Sequence, residues 1–363
     1  MAKLARRWRG LVGRHVASRK VQVLSSGRNS GTPIAIGVPV RNEAARLPRL
    51  LAAFDKQITD HPFTLCLFFD SCEDGSEQLV DSLSPRLRYP VVTRSSHSGG
   101  SPNAGAARQR AMAAALQIAG DGVLLTTDAD SEPAPDWIMA NLAALGQADV
   151  VAGRIVRDER HACDVHSRLA DYFDRLHAVR RAIDVVSWEA AYSHHWTSGA
   201  SLACRSQVYR ELGGFPAIAS GEDAAFTDRA ARAGYRVRRD ASVTVWTSSR
   251  RKGRVIDGFA AVLAAFDDPA AMPDVTHPHD EAWRFRMQAE ARASFDNGGW
   301  RALASSLDLP LAEVEQVAGE CANSEAFAAR IVGAPPGGLR KVSLAHAEAL
   351  LAGLDAMAMA GAA

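Results

Sequence analysis

At 363 residues the chain is too long for a minimal module, and it fits one large α/β domain with an appendage or two modest domains. Hydrophobic residues make up 47% and charged residues 23%, with a formal net charge of +1. That is an ordinary globular balance with no global pull toward nucleic acid or membrane, so a charged partner has to be met by a local cluster.

The five cysteines, Cys66, Cys72, Cys163, Cys204 and Cys321, are scattered and form no CxxC. This argues against a disulfide framework or a zinc site and suits a reducing cytosol, so a cytoplasmic protein is expected. No apolar run approaches the roughly 20 residues of a membrane helix. Residues 1–31 form a basic leader with Trp8, Leu11 and Val12 interleaved among its charges. It reads either as a solvated, partly disordered segment or as an amphipathic one that touches anionic lipid at the inner face of a membrane.

From Thr32 strands and helices alternate. Pro33–Pro39 is a short buried strand, and Ala44–Gln57 is helical with Leu47, Leu50, Leu51 and Phe54 on one face. Phe63–Phe69 is a continuous apolar strand, Ser76–Leu83 a helix and Val91–Arg94 a third strand. Asn103–Ala119 is an Ala-rich helix, Gly122–Thr127 a strand, Pro135–Leu145 a helix and Ala148–Val156 a strand. His161–Arg181 reads as a charged amphipathic helix. Ser206–Leu212 and Ser220–Ala233 are further helices, and Tyr235–Arg238 and Val243–Thr247 are separate strands. Near residue 268 the composition shifts: Pro269, Pro273 and Pro278 mark a linker, and an Ala-rich helical region follows, interrupted at Asn297–Gly299 and Ala334–Gly338. The pattern predicts a mostly parallel sheet flanked by helices over 32–267, with a helical extension over 268–363.

In such sheets ligands bind beyond the carboxyl ends of the strands. Three strands end there in acidic segments, Val40–Glu43, Asp70–Asp74 and Asp128–Asp130. Asp128 and Asp130 sit two apart, so alternation in an extended segment puts both carboxylates on one side. Close carboxylates repel unless a cation lies between them, and few hard oxygen ligands suit Mg²⁺ or Mn²⁺ with a phosphate-bearing substrate completing the shell. The competing reading is turn chemistry. Asn42 and Glu43 read as a helix cap and first turn, or as a nucleoside clamp. Asp70 reads as part of an acidic turn, or as a partner of base or ribose. Glu222 and Asp223 follow Ser220 at capping-box spacing, which competes with a catalytic role for either carboxylate.

The order VPVRNE, FFDSCEDGS, NAGAARQRA, TTDADSEPAPDWI, TSGASLACRSQVYRELGGFP and SGEDAAFTDRAARAGYRV resembles the family 2 glycosyltransferases with the GT-A fold. The resemblance spans roughly residues 33–250, about the first two-thirds of the chain, with the motifs in the family's order. It implies that Pro39, Asn42 and Glu43 line a nucleoside pocket and that Asp70 contacts the base. Asn103 to Arg108 would lie beside the nucleotide. Asp128 would sit near ribose and metal, and Asp130 would bind the metal directly. Gly199-Ala200-Ser201 would form the floor, and Asp223 would be the catalytic base. The donor would be a UDP- or GDP-linked sugar and the acceptor a hydroxyl.

One departure stands out. Family members often carry a His after the late strand, where this chain has Val245-Trp246-Thr247-Ser248-Ser249-Arg250-Arg251-Lys252-Gly253-Arg254. Arg250, Arg251 and Arg254 are there to grip the diphosphate or form a solvated basic loop. His277 and His279 are alternative metal donors, and His194-His195-Trp196 line an acceptor pocket or are structural. An inverting transferase leads. A retaining transferase similar to glucosyl-phosphoglycerate synthases and a non-catalytic sugar-nucleotide sensor stay open, as does a homodimer through the helical tail. A dinucleotide dehydrogenase is excluded by the lack of GxGxxG after the first strand.

Overall fold

The structure is a computed structural model that describes residues 31–97, 103–157, 164–248 and 274–361. Residues 1–30 of the basic leader, the expected boundary near residue 268, Cys163, and Arg250, Arg251 and Arg254 lie outside the described residues. The four described cysteines are free.

The elements up to the first crossover are β1 (Ile34–Val40), α1 (Leu47–Asp55), β2 (Phe63–Asp70), α2 (Ser76–Leu83), β3 (Val91–Ser96), α3 (Ala104–Ala119) and β4 (Val123–Thr126). Then come β5 (Ser131–Pro133), α4 (Trp137–Leu145), β6 (Val150–Arg157), α5 (Asp164–Ile183), β7 (Leu202–Arg205), α6 (Ser206–Glu211), α7 (Glu222–Arg232) and β8 (Val237–Thr247). The sheet order is β3-β2-β1-β4-β7-β6-β8-β5. Strands β1 to β4 run parallel, whereas β7 lies antiparallel between β4 and β6.

β1 is a continuous apolar run because both of its faces are covered. On one side Ile36, Val38, Leu65 and Leu67 meet Leu47, Leu50, Leu51 and Phe54 of α1, together with Trp137. On the other, Ala35, Cys66 and Leu124 meet Met112, Ala115 and Ala119 of α3. The four apolar side chains of α1 are 2% exposed or less. Burial of each contributes roughly 1.5–3 kcal/mol relative to exposure.

From β1 the chain winds outward to β2 and β3, then crosses back to β4 on the other side of β1. The carboxyl ends of β1 and β4 therefore diverge into a crevice, the place where such sheets bind ligands.

Two expectations change in detail. Helix α1 starts at Leu47 rather than Ala44, because Asn42 adopts φ 52° and the segment before Leu47 is tied to the loop after β2. The two late strands are one: the register jumps from Gly153↔Asp240 to Arg154↔Thr244, a bulge that absorbs residues 241–243 without ending β8.

The C-terminal region holds β9 (Asp274–Thr276), α8 (Pro278–Asn297), α9 (Trp300–Leu307), α10 (Leu311–Glu320), α11 (Ser324–Ile331), β10 (Lys341–Ser343) and α12 (Leu344–Gly361). Strands β9 and β10 form a two-stranded antiparallel sheet that the sequence pattern does not reveal. One apolar cluster joins α8 to α11. A second joins Tyr172, Leu176 and Val179 of α5 to Val275, Ala282, Leu344, Ala347 and Leu351. The amphipathic face of α5 is thus buried against the C-terminal region. No helix among the described residues is long and apolar enough to cross a membrane.

Candidate active site

Arg108 organises the crevice. It projects from the Ala-rich helix α3 and is 5% exposed. Its Nε donates to Glu222 Oε1 at 2.9 Å and its Nη2 to Asp128 Oδ1 at 2.7 Å. Its Nη1 donates to Thr126 Oγ1 at 3.0 Å and to the Gly199 carbonyl at 2.9 Å. Four of the five guanidinium N–H donors are therefore used. Burial opposes the charge, but Asp128 and Glu222 outweigh it and raise the guanidinium's proton affinity above the arginine range. Thr126 Oγ1 donates to the Gly37 carbonyl at 2.7 Å, linking this network to β1.

Asp223 opens α7, whose cap residue Gly221 has φ 77° and no side-chain cap bond. The capping box from Ser220 does not form. Instead Asp223 Oδ2 accepts from the Gly199 N–H at 2.9 Å, and Oδ1 accepts from the Ala224 N–H at 2.7 Å. Gly199 therefore bridges Arg108 and Asp223 through its two backbone groups. A Cβ there would lie 2.3 Å from Arg108 Cζ, so only glycine fits. Glu222 is 4% exposed and turned toward Arg108, whereas Asp223 is half-buried on the loop side.

Asp128 and Asp130 sit in a turn between β4 and β5, closed by Ser131 N–H to the Asp128 carbonyl at 3.1 Å. The extended geometry expected for this pair is thus corrected: with β5 paired to the end of β8, the chain must reverse at Ala129 and Asp130. Both aspartates remain half-buried at the carboxyl end of β4. Among the described residues no group of three or more His, Cys, Asp or Glu side chains is placed to hold a metal ion. His277 caps α8 by accepting from the His279 N–H at 3.3 Å, so its ring is engaged in the C-terminal region.

The loops after β1 and β2 lock together. Arg41 donates to Asp70 Oδ2 at 3.0 Å, and Asn42 Oδ1 accepts from Glu73 N–H at 2.8 Å. Ser76 Oγ accepts from Glu43 N–H at 3.0 Å. Asn42 adopts a left-handed backbone, which Asn tolerates better than most residues, and its amide oxygen is held across the two loops by the Glu73 N–H. Asn103 caps α3, accepting from Ala106 N–H at 2.8 Å, and its Nδ2 donates to the Ala217 carbonyl at 3.3 Å. Pro39 is half-buried in β1 opposite Phe68.

The structure thus brings Arg108, Asp128, Glu222 and Asp223 into one bonded unit and places Pro39, Asn42, Glu43 and Asp70 at the neighbouring strand ends. His195 Nδ1 pairs with Asp174 Oδ1 at 2.7 Å and its ring lies 4.3 Å from Trp196. His194 is 3% exposed. The hub role of Arg108 and the bridging role of Gly199 are not legible from motifs. The available signal was spacing: Gly105, Arg108, Met112, Ala115 and Ala119 make one buried stripe of α3, and an arginine within such a stripe must meet carboxylates.

A doubly covered α/β sheet thus presents carboxylates at the ends of β1, β2 and β4, with a further pair opening α7. Residues 35–181, less than half of the chain, match the family described as "Glycosyl transferase family 2". Pro39, Asp70, Arg108, Asp128 and Asp130 fall inside the match, while Glu222 and Asp223 lie beyond it. No curated protein matches the chain. Among solved structures it is similar to S. aureus TarS 1-349 in complex with UDP-GlcNAc, at 17% identity over 73% of each chain and a TM-score of 0.45. It is also similar to the mannosyltransferase PcManGT from Pyrobaculum calidifontis in complex with GDP-Man and Mn²⁺, at 20% identity over 99% of this chain and 87% of that one, with a TM-score of 0.44.

Proposed function

We propose that the protein transfers a sugar from a UDP- or GDP-linked donor to an acceptor hydroxyl with inversion, and that Asp223 is the base. The carrying observation is the anchored geometry of Asp223. Two backbone N–H groups, from Gly199 and Ala224, each hold one of its oxygens, which fixes the carboxylate while leaving lone pairs for an incoming proton. The acceptor O–H gives its proton to Asp223 as its oxygen bonds to the anomeric carbon. The bond from that carbon to the diphosphate oxygen breaks, and its electron pair leaves with the nucleoside diphosphate. Glu222 acts through Arg108 and is a positioning residue.

The donor set fits a divalent cation. Asp128 and Asp130 offer hard oxygens at the crevice, one oxygen of Asp128 is taken by Arg108, and no third clustered ligand stands among the described residues. Such a sparse set suits Mg²⁺ or Mn²⁺, which keeps waters and substrate oxygens. Asp130, with Asp128 beside it, would hold the ion, and the ion would neutralise charge on the departing diphosphate. The nucleoside would lie against Pro39, Asn42, Glu43 and Asp70, beside the amino end of α3 with Asn103. Arg250, Arg251 and Arg254 would add phosphate contacts.

Calorimetry with UDP- and GDP-sugars, with and without Mn²⁺, tests the donor. Binding that needs Mn²⁺ and is lost in Asp130→Asn is expected, and failure of every nucleotide sugar to bind would refute the reading. The anomeric configuration of the product, read by NMR, separates inversion from retention.

A further inference from the structure

The imidazole of His195 is fixed from several directions. Its Nδ1 lies 2.7 Å from Asp174 Oδ1 on α5, and the His195 backbone N–H donates to the same oxygen at 3.4 Å. The ring sits 5.5 Å from the ring of Phe173 at 31° and 4.3 Å from that of Trp196 at 36°, so one aromatic flanks it from α5 and the other from its own loop. Burial would raise the Asp174 carboxyl, but the hydrogen bonds from His195 outweigh it and hold the carboxyl below its usual range. An ionised carboxylate only accepts, so in the neutral ring the hydrogen is on Nδ1 and the lone pair on Nε2. Nε2 has no hydrogen-bond partner among the described residues. The side chain is not sealed in the interior, being 16% exposed. A ring held in this way leaves one lone pair whose direction is set before any ligand arrives.

His195 opens a short loop that closes on itself beside the proposed base. The ring of His194 meets the backbone of Ala152, and the Ser201 carbonyl accepts from the Gly153 N–H at 2.9 Å. The two ends of the loop are therefore docked on consecutive residues of β6, and residues 195–200 double back between them. Gly199, whose N–H holds Asp223, belongs to the same loop. It is four residues from His195, so the two α-carbons lie at most about 14 Å apart.

We propose that His195 Nε2 accepts a hydrogen bond from a second, non-reacting hydroxyl of the acceptor, and that the acceptor is a sugar. A lone pair attracts an O–H and repels the oxygens of a phosphate or carboxylate, so the group met here is neutral. One fixed polar atom among aromatic rings suits the mixed surface of a sugar, with C–H groups on its faces and hydroxyls at its edges. His195 sets which hydroxyl is presented to Asp223, and the proton of the reacting hydroxyl still goes to Asp223. Asp174 acts through His195 and is a positioning residue. Assigning the sugar to the acceptor rests on the proposed glycosyl transfer.

A purely structural pair would only tie the loop to α5, and two substitutions separate the roles. His195→Asn keeps a donor near the Nδ1 position for Asp174 and removes the acceptor at Nε2. His195→Gln places an amide oxygen near Nε2 and gives up the bond to Asp174. The test uses the full chain with Mn²⁺ and UDP or GDP, and the methyl glycosides of glucose, galactose, mannose and N-acetylglucosamine as probes. Saturation-transfer NMR gives affinities, and thermal melting checks the fold of each variant. At least one glycoside should bind. In protein with isotope-labelled histidine, its addition should shift the His195 Nε2 resonance, which is assigned by its loss in His195→Asn. His195→Asn should weaken that glycoside by about five- to tenfold at unchanged Tm, and His195→Gln by about twofold. In Asp174→Asn the same spectra should show both tautomers of the ring, and an unchanged tautomer overturns the positioning role. Absence of glycoside binding, an unmoved Nε2 resonance at saturation, or wild-type affinity in His195→Asn overturns the sugar subsite. Nucleotide-sugar binding is measured separately by calorimetry. If nucleotide sugars bind and glycosides do not, this proposal alone fails. If glycosides bind at His195 and no nucleotide sugar binds, the glycosyl-transfer reading fails and the acceptor assignment goes with it.

Discussion

The backbone N–H of Gly199 donates to Asp223 Oδ2 at 2.9 Å, and the carbonyl of the same glycine accepts from Arg108 at 2.9 Å. One peptide residue thereby couples the proposed base on α7 to the buried cation on α3. The base is held by main chain, whose position depends on a side chain from another helix.

Asp223→Asn removes the proton acceptor while keeping the shape. Turnover should fall by about 10²–10⁴, with nucleotide-sugar affinity unchanged by calorimetry. A variant that keeps wild-type kcat excludes Asp223 as the base.

Gly199→Ala should destabilise the protein by about 1–3 kcal/mol, because the new Cβ must displace the Arg108 guanidinium. Urea unfolding measures the loss. A fall in kcat at unchanged donor affinity should accompany it, since Asp223 loses its orienting N–H.

Arg108→Met leaves Glu222 buried without its cation and should cost about 3–5 kcal/mol. Adding Glu222→Leu should recover part of that loss, and a double-mutant cycle reads the coupling. Strictly additive losses would show that the pair is not a unit.

Stability should fall on mild acidification. Burial first, and then Arg180 and Arg239, pull His177 from 6.5 down to about 2. Burial and Arg239 pull His194 from 6.5 down to about 4. Both rings bind protons more weakly folded than unfolded, so below about pH 6.5 the unfolded chain holds more protons and is favoured. The stabilisation is complete above that pH and is lost toward 4 for His194 and further down for His177. Each ring contributes at most about 1.4 kcal/mol per pH unit. Urea midpoints at pH 7 and pH 5 should converge in His177→Asn relative to the wild type; an identical drop in the variant contradicts the assignment.

Arg292 on α8 ties the end of α5 to α11. It donates to both oxygens of Asp184 at 2.6 Å and pairs with Glu325, and Asp184 is 2% exposed. Arg292→Met should cost about 3–5 kcal/mol. Hydrogen exchange should show the loss as faster opening of α8 and α11, with β1 and β2 protected as before.

Much of the sheet was legible because β1, β2 and β4 are covered on both faces and so read as unbroken apolar runs. The amino end of α1 was not, since hydrophobic spacing does not report that Asn42 and Glu43 are bonded to residues 73 and 76 of another loop. The single long β8 was hidden by its bulge. Strands β9 and β10 were hidden because three-residue strands paired across some 65 positions leave no local pattern.

The sequence by itself determined the alternation of strands and helices, the acidic strand ends and the ordered motifs, because periodicity, strand-end polarity and motif order are local properties of the chain. Only the tertiary structure decided which carboxylate faces which cation. Asp128 and Asp130 read as an extended pair and fold as a turn, Glu222 turns inward to Arg108 while its neighbour Asp223 turns to Gly199, and Arg239 is left with no carboxylate among the described residues. Those outcomes depend on how α3, α5, α7 and β8 pack. Ion pairing across more than a hundred residues is set by that packing, and no local pattern encodes it.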